Sequence, residues 1–377
     1  MTKSRVLIAG GGVASIEVAL ALRDLAADRV EVELFAPRRD FLYRPYAVGE
    51  PFGTAHVVRY DLEDLAARCG ARFHLDSIAA VDPGVRLVST HDGDRYPYDY
   101  LVLAAGAQLL WPVPGAITFW GIADELDVQK VMGRLHSGEL RSIAFTTPSA
   151  GSWTLPLYEL ALLADSELSR AGVGVKLMIV TPESAPLQIF GQRASELVGA
   201  LLRERGIEVR AGTHPVRFEN GRLVIVPGGG FDVDAVVSLP KLEGRRIRGI
   251  LHDPAGFIRV DEHCRVLKRD RIFAAGDITS FPVKQGGIAT QQADVIAEAI
   301  AADLGVEIEP RSFDPVLRGV LWTGEKPCYL QGWLGGGHGA TSSFTAEPPW
   351  GDGTGKIVGR YLSGFIAEVD RSLMANA

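Results

Sequence analysis

The residues whose spacing speaks most directly of chemistry lie at the start of the chain, in Val6-Leu7-Ile8-Ala9-Gly10-Gly11-Gly12-Val13-Ala14-Ser15. A short apolar strand enters a glycine turn and continues as an apolar helix, the arrangement that receives phosphates. Gly10 allows the tight turn, and Gly12 lets the backbone approach a pyrophosphate with no Cβ between them. Ser15 stands where a small residue lets helix and strand pack closely. The N–H groups freed at the helix start, around Val13 and Ala14, then face two phosphate charges, and the helix dipole adds to the attraction. A second place of this kind is Arg271-Ile272-Phe273-Ala274-Ala275-Gly276-Asp277, an apolar strand ending in Gly-Asp. There the Asp277 carboxylate can accept hydrogen bonds from ligand hydroxyls. The helix that follows, from about Ile288 to Asp303, offers its N-terminus near Gly286 and Gly287 to an anion. A third apolar strand, Tyr100 to Ala104, ends in Ala105-Gly106-Ala107.

These turns need elements to hold them. Ile16, Ala19, Leu20 and Leu22 form a helical apolar face, and Val30 to Phe35 read as the next strand of a βαβ unit. In such a unit an acidic residue at the end of the second strand takes ribose hydroxyls. Here Ala36 stands there, followed by Pro37, Arg38 and Arg39, so a ribose contact must come from the backbone or a neighbouring polar group. Arg44, in the aromatic segment Asp40-Phe41-Leu42-Tyr43-Arg44-Pro45, reads either as a contact to cofactor or phosphate or as a surface guanidinium. A helix is expected over Asp61 to Cys69, and strands over Phe73 to Val81 and Val85 to Thr90.

Past Pro112 and Pro114 the alternation starts again, with strands at Ser142 to Thr146, Val175 to Val180 and Ile207 to Val209. Helices at Leu155 to Leu168 and Ala194 to Arg205 separate them, and Arg222 to Ala235 reads as a hairpin. This is a second α/β unit inserted in the first. Its opening turn, Thr147 to Pro156, lacks the glycine spacing and carries two prolines and Trp153 where a second pyrophosphate would lie. The expected fold class is therefore α/β, with two Rossmann-type three-layer domains and a C-terminal segment. Residues 1–115 and 241–308 form the first domain, 116–240 the inserted one, and 309–377 the segment. In that segment Lys356 to Leu373 places Ile357, Tyr361, Phe365, Ile366 and Val369 at helical spacing. Its mixed charges favour packing on the body or a homodimer contact over membrane insertion.

The 377 residues carry a net charge of −7 and no basic block, which argues against nucleic acid as the main partner. Cys69, Cys264 and Cys328 are far apart and form no CxxC, so neither a metal site nor a local dithiol is expected. Their sparse count fits a cytoplasmic location. Lys3 and Arg5 precede the apolar run Val6 to Leu22, but Glu17 and the glycine turn speak against a signal peptide. No stretch reaches the roughly 20 apolar residues of a membrane helix.

The three strand ends, in this order and spacing, resemble the FAD-binding signature of the pyridine nucleotide-disulfide oxidoreductase superfamily. The likeness covers nearly the whole chain. Gly10 and Gly12 match the residues at the FAD pyrophosphate, and Ala105-Gly106 the superfamily's Ala-Thr-Gly strand end. Gly276-Asp277 match the pair at the ribityl phosphate, and Ile78 the backbone contact to adenine. Pro282-Val283-Lys284-Gln285-Gly286, with Ala289 and Gln292, resembles the stretch that brings a helix N-terminus to the flavin pyrimidine edge. Phe41-Leu42-Tyr43-Arg44-Pro45 and Trp322 to Leu330 are most similar to the branch holding sulfide:quinone oxidoreductases and type II NADH dehydrogenases. The resemblance implies one noncovalent FAD and two-electron transfer from a small reductant to a quinone or another acceptor. It also leaves peripheral contact with the inner face of a membrane open.

Two departures matter. The loop Pro148 to Pro156 has Ser152 and Trp153 but neither the flavin-side cysteine of sulfide oxidation nor the glycine turn of NADH oxidation. An NAD(P)H-dependent reductase and a flavin-binding protein without turnover therefore stand as alternatives. Three residues carry the candidate chemistry. Cys328, with Lys326 nearby, reads as a thiolate or a buried structural cysteine. Trp153 reads as a flavin cover or core, and Lys284 as a charge at the flavin edge or an ordinary loop lysine. His338, in a glycine run, reads as inert.

Overall fold

The structure, a computed structural model, describes residues 2–120, 125–149, 153–334, 342–351 and 355–376. The apolar run Ser4–Ala9 becomes the central strand of a five-stranded parallel sheet, and Val6, Leu7 and Ile8 are fully buried in it. Both of its faces are covered, as continuous hydrophobic strands require. The strand order is Ile272–Ala274, Tyr100–Leu103, Ser4–Ala9, Val30–Phe35, Ala71–His74. Ala9 pairs with both Leu103 and Phe35, and Leu103 also pairs with Ala274. That shared register brings the turns at Gly10, Ala36, Ala104 and Ala275 out side by side at one edge of the sheet.

The helices Val13–Ala26 and Gly286–Asp303 pack on each other over one face of this sheet. Val81 and Val88, from an antiparallel meander of Ile78–Asp82, Leu87–Thr90 and Arg95–Pro97, cover Leu7, Phe35 and Leu101 on the other. A second parallel sheet takes all five strands from the middle of the chain, in the order Ile117–Thr118, Ala235–Ser238, Ser142–Thr146, Lys176–Val180, Glu208–Arg210. Ile143, Phe145, Ile179 and Val237 face the helices Glu125–His136, Leu155–Arg170 and Gln192–Glu204. The alternate residues Ala144, Met178 and Val236 face a second meander through Leu223 and Ile225. Each sheet is therefore the middle of three layers. The chain leaves the first sheet along Ala107–Leu110 and returns along Lys241–Gly244, and these two segments pair antiparallel.

Several elements differ from the sequence-based expectation. Phe73 to Val81 is not one strand, because Leu75 turns outward and the Asp76 carboxylate accepts the Ser77 N–H at 2.6 Å. Arg222 to Ala235 is not a simple hairpin: Arg222–Val226 is the middle strand of a meander, and Ala235 opens a buried strand of the second sheet. The periodic run from Lys356 is helical only over Leu362–Asn376. Its start is set by Glu17, which is fully buried and accepts the N–H groups of Tyr361 and Leu362 at 3.0 and 2.6 Å. The C-terminal segment also forms an antiparallel sheet of Val316–Leu321, Cys328–Trp333 and Ser342–Thr345 that sequence patterning leaves unassigned. Leu362, Phe365, Ile366 and Val369 are buried in the same core as the helix Val13–Ala26, so this helix packs on the body. No described helix is long and apolar enough to cross a membrane.

Asp294 lies in this seam, 8% exposed and hydrogen-bonded to Glu17. Burial and the Glu17 charge push its pKa up to about 7, against the pull of Arg311 and Arg360. The unfolded value is near 4, so the folded state keeps a proton that the unfolded chain releases. The Asp294 contribution is complete below about pH 4 and is lost as pH rises to about 7. Asp294→Asn is expected to melt above the wild type at pH 8, with the advantage shrinking toward pH 4. Equal destabilisation at both ends of that range would contradict the assignment.

Candidate functional site

One cavity of about 640 Å³ opens at the aligned strand ends. Gly10 adopts φ +136°, and a Cβ there would lie 2.1 Å from the Ala104 carbonyl oxygen. The first turn therefore seats directly on the end of its neighbouring strand. At Gly12 a Cβ would meet nothing within 4 Å, because the residue faces the cavity. Gly12 caps the helix Val13–Ala26 without a side-chain hydrogen bond, and the first turn holds no acidic residue. Its free N–H groups point where an anion can take them. This cradle fits a pyrophosphate.

Gly276 and Asp277 lie beside this cradle: a Cβ on Gly276 would sit 3.7 Å from the Ala14 Cβ. Gly276 adopts φ +75° and donates its N–H to the Gln292 amide oxygen at 2.7 Å. Burial raises the Asp277 pKa, and the charges of Lys284 and Arg44 oppose the rise. Lys284 donates to the Thr279 carbonyl and sits 3.9 Å from the centre of the Phe257 ring. Burial lowers its pKa to about 8, against the attraction of Asp277 and Asp253. Gln285 caps the helix Gly286–Asp303 by accepting the Ile288 N–H at 3.0 Å. Arg44 keeps its surface accessible because it points into the cavity rather than into the protein. Its guanidinium lies 5.5 Å from the Trp120 ring, and burial and the charges of Arg38 and Arg245 lower its pKa.

Every cofactor-binding candidate from the sequence lines this one space: Gly10, Gly12, Val13, Ala14, Arg44, Ile78, Ala105, Gly106, Gly276, Asp277, Lys284, Gln285 and Gly286. Trp153 lines it too, with its ring edge-on to Phe190 at 5.7 Å. Cys328 does not line it, and burial raises its thiol pKa, the opposite of what a thiolate nucleophile needs. Cys69 and Cys264 are buried elsewhere, with their thiol pKa values also raised by burial. Ser152 and His338 lie outside the described residues. The Ala36 N–H is already bonded to the His74 carbonyl, and the polar lining nearby comes from Arg38, Asp40, His91, Arg245 and Arg246.

Sequence reading missed an ion pair in the cavity wall. Lys356 Nζ lies 2.6 Å from Glu159 Oε1, with side-chain exposures of 5% and 1%. Glu159 also accepts the Trp322 N–H at 2.8 Å, and the Lys356 ammonium lies 4.0 Å from the Trp322 ring centre. Burial raises the Glu159 pKa and lowers that of Lys356, which narrows the gap between them. The one signal in the sequence was a carboxylate at Glu159 inside the apolar run Leu155 to Leu163.

The turn of the second sheet is built differently. Glu183, just past the strand Lys176–Val180, is buried and accepts hydrogen bonds from the hydroxyls of Thr154, Tyr158 and Thr181 at 3.0, 2.7 and 3.0 Å. Burial raises its pKa, and those hydroxyls oppose the rise.

Residues 158–301 match the family model described as pyridine nucleotide-disulphide oxidoreductase. The chain is 27% identical over 297 residues to an NADH dehydrogenase-like protein of Mycobacterium tuberculosis, covering 74% of this chain and 73% of that one. It is 24% identical over 330 residues to a sulfide-quinone reductase of Aquifex aeolicus, covering 79% and 76%. The crystal structure of the Aquifex aeolicus sulfide:quinone oxidoreductase superposes with a TM-score of 0.82 at 21% identity, over 91% of this chain and 86% of that one. A ferredoxin reductase from Rhodopseudomonas palustris superposes at 0.65 and 19% identity, over 89% and 83%.

The two turn glycines should fail differently. Gly12→Val adds atoms only to the cavity, so the variant is expected to fold with wild-type circular dichroism but to retain no flavin. Gly10→Ala drives a Cβ into the Ala104 carbonyl and is expected to lower the yield of folded protein. A yellow Gly12→Val protein would contradict the placement of the cradle.

Proposed function

We propose that this chain, an FAD-dependent oxidoreductase of the pyridine nucleotide-disulfide oxidoreductase superfamily, takes two electrons from a small-molecule reductant other than a nicotinamide nucleotide. It delivers them to a quinone or another acceptor. Bound FAD supplies the two-electron chemistry, and the chain supplies position and charge. Gly10 to Ala14 hold the pyrophosphate at the helix N-terminus. Asp277 takes hydroxyls of the ribityl chain, and Lys284 with the Gly286 helix end sets positive charge beside the flavin edge. Trp153 closes one side of the cavity with an aromatic plane.

The observation that carries the choice of donor is Glu183. In a nucleotide-binding unit the carboxylate after the second strand stays open to the ribose. Here three of the protein's own hydroxyls consume it, each such bond to a charged group being worth about 1.5 to 3 kcal/mol. A nicotinamide nucleotide would have to displace them. The absence of any described cysteine from the cavity wall speaks against a dithiol route for sulfide. Similarity to a sulfide-quinone reductase supports the quinone as acceptor. Glu159 and Lys356 hold a proton in the cavity wall, where a reduced acceptor would need one.

Two measurements test this reading. NADH or NADPH added without oxygen is expected to leave the flavin absorbance unchanged, while dithionite bleaches it and a soluble quinone restores it. Stoichiometric bleaching by either nucleotide would contradict the reading. The double variant Glu159→Gln/Lys356→Met removes both buried charges together and avoids leaving one unpaired. It is expected to keep its FAD but to reoxidise with quinone about tenfold or more slowly. An unchanged rate would remove the pair from the chemistry.

A further inference from the structure

The C-terminal antiparallel sheet carries a row of polar atoms that no described residue answers. Arg318 pairs opposite Gln331, and Gln331 opposite Ser343, across its three strands. Residues paired in this way project to the same face, with Cβ atoms on the order of 5 Å apart. One face of the sheet is committed to the core through Leu317, Leu321 and Leu330. The Arg318 row belongs to the other.

On that face Arg318 Nε, Gln331 Oε1 and Ser343 Oγ are each shielded from solvent and have no hydrogen-bond partner. Of the nine such side-chain atoms among the described residues, three fall in this single row. Burial lowers the Arg318 pKa, and among the described residues no carboxylate pairs with its guanidinium. Groups of this kind destabilise a fold unless something binds them.

The row crosses the sheet beside the cavity wall, with Arg318 as the member next to it. Val320, two residues along the same strand and on the same face, lines the cavity wall. Gln285, which also lines it, donates to the Arg318 carbonyl at 3.0 Å. We propose that Arg318, Gln331 and Ser343 form an oxyanion-binding subsite beside the flavin cavity, which holds a carboxylate or a sulfur or phosphorus oxyanion of the molecule that reacts there. The Arg318 Nε–H and the Ser343 hydroxyl donate to the anionic oxygens, and the Gln331 amide turns either edge to the ligand. A guanidinium that no described carboxylate answers selects an anion over a neutral or cationic group. The subsite rests on the oxidoreductase reading only for its role in turnover; anion binding stands apart from it.

The test is calorimetric titration of the FAD-loaded protein with acetate, thiosulfate and phosphate, with chloride as the ionic-strength control. At least one oxyanion is expected to bind saturably and chloride is not; the tightest binder identifies the class. Arg318→Met is expected to weaken that binding about tenfold or more. It should keep its FAD and melt at or above the wild-type temperature, because the shielded Nε that no described group answers is gone. Ser343→Ala should weaken binding about threefold or more. If the wild type binds none of the oxyanions, or Arg318→Met binds as the wild type does, the proposal is overturned. Should Arg318→Met not fold, wild-type affinity in both Ser343→Ala and Gln331→Ala overturns it. A protein that holds no FAD yet binds the anion would count against the oxidoreductase reading and leave the subsite standing.

Discussion

Much of this molecule is arranged around backbone N–H groups that its own residues leave open at the start of the helix Val13–Ala26. The parallel register of three strands brings Gly10, Ala104 and Ala275 to one edge. The positive φ of Gly10 then sends the chain over the neighbouring strand end and into the helix. Parallel strands covered on both faces must be apolar throughout, so polar function is confined to their ends. The same helix also fixes a second part of the cavity wall. Glu17, one turn on, holds the first N–H groups of the C-terminal helix, and the residues just before that helix, Lys356 and Ile357, line the cavity. The cradle and the ion pair are thus tied to one element.

The second unit repeats the architecture, while its opening turn, Thr147 to Pro156, lacks the glycine spacing of the first. It has the same three layers, but the carboxylate that would meet a ribose is turned inward and satisfied by Thr154, Tyr158 and Thr181. What the unit contributes to the cavity instead is a wall: Trp153, Pro156 and Glu159 from the start of the helix Leu155–Arg170. The same three-layer fold thus carries different residues at its strand ends in the two units, which agrees with the general separation of fold from function.

The elements legible in the sequence were those whose signal is local. Continuous apolar runs at Val6 to Ala9, Tyr100 to Leu103 and Ile272 to Ala274, each ending in small residues, marked the strand ends and the residues around the cavity. Features that depend on register or on distant partners were not legible. Lys356 and Glu159 are 197 positions apart, and nothing near Lys356 announces a partner. Arg318, Gln331 and Ser343 meet only once three strands are paired. Periodicity alone carried the C-terminal helix back to Lys356, because it cannot register that Glu17 starts the helix at Leu362. At Cys328 the nearby Lys326 pointed to an activated thiol, whereas burial in the finished fold moves its pKa the other way.

The central claim is that the aligned strand ends form a site for FAD and that this protein holds it. The most direct test is the visible spectrum of the purified protein together with identification of the nucleotide released on denaturation. One FAD per chain, released without cleavage of any covalent bond, is the predicted result. A colourless protein that takes up no FAD on reconstitution, while retaining its folded circular dichroism, would contradict the account.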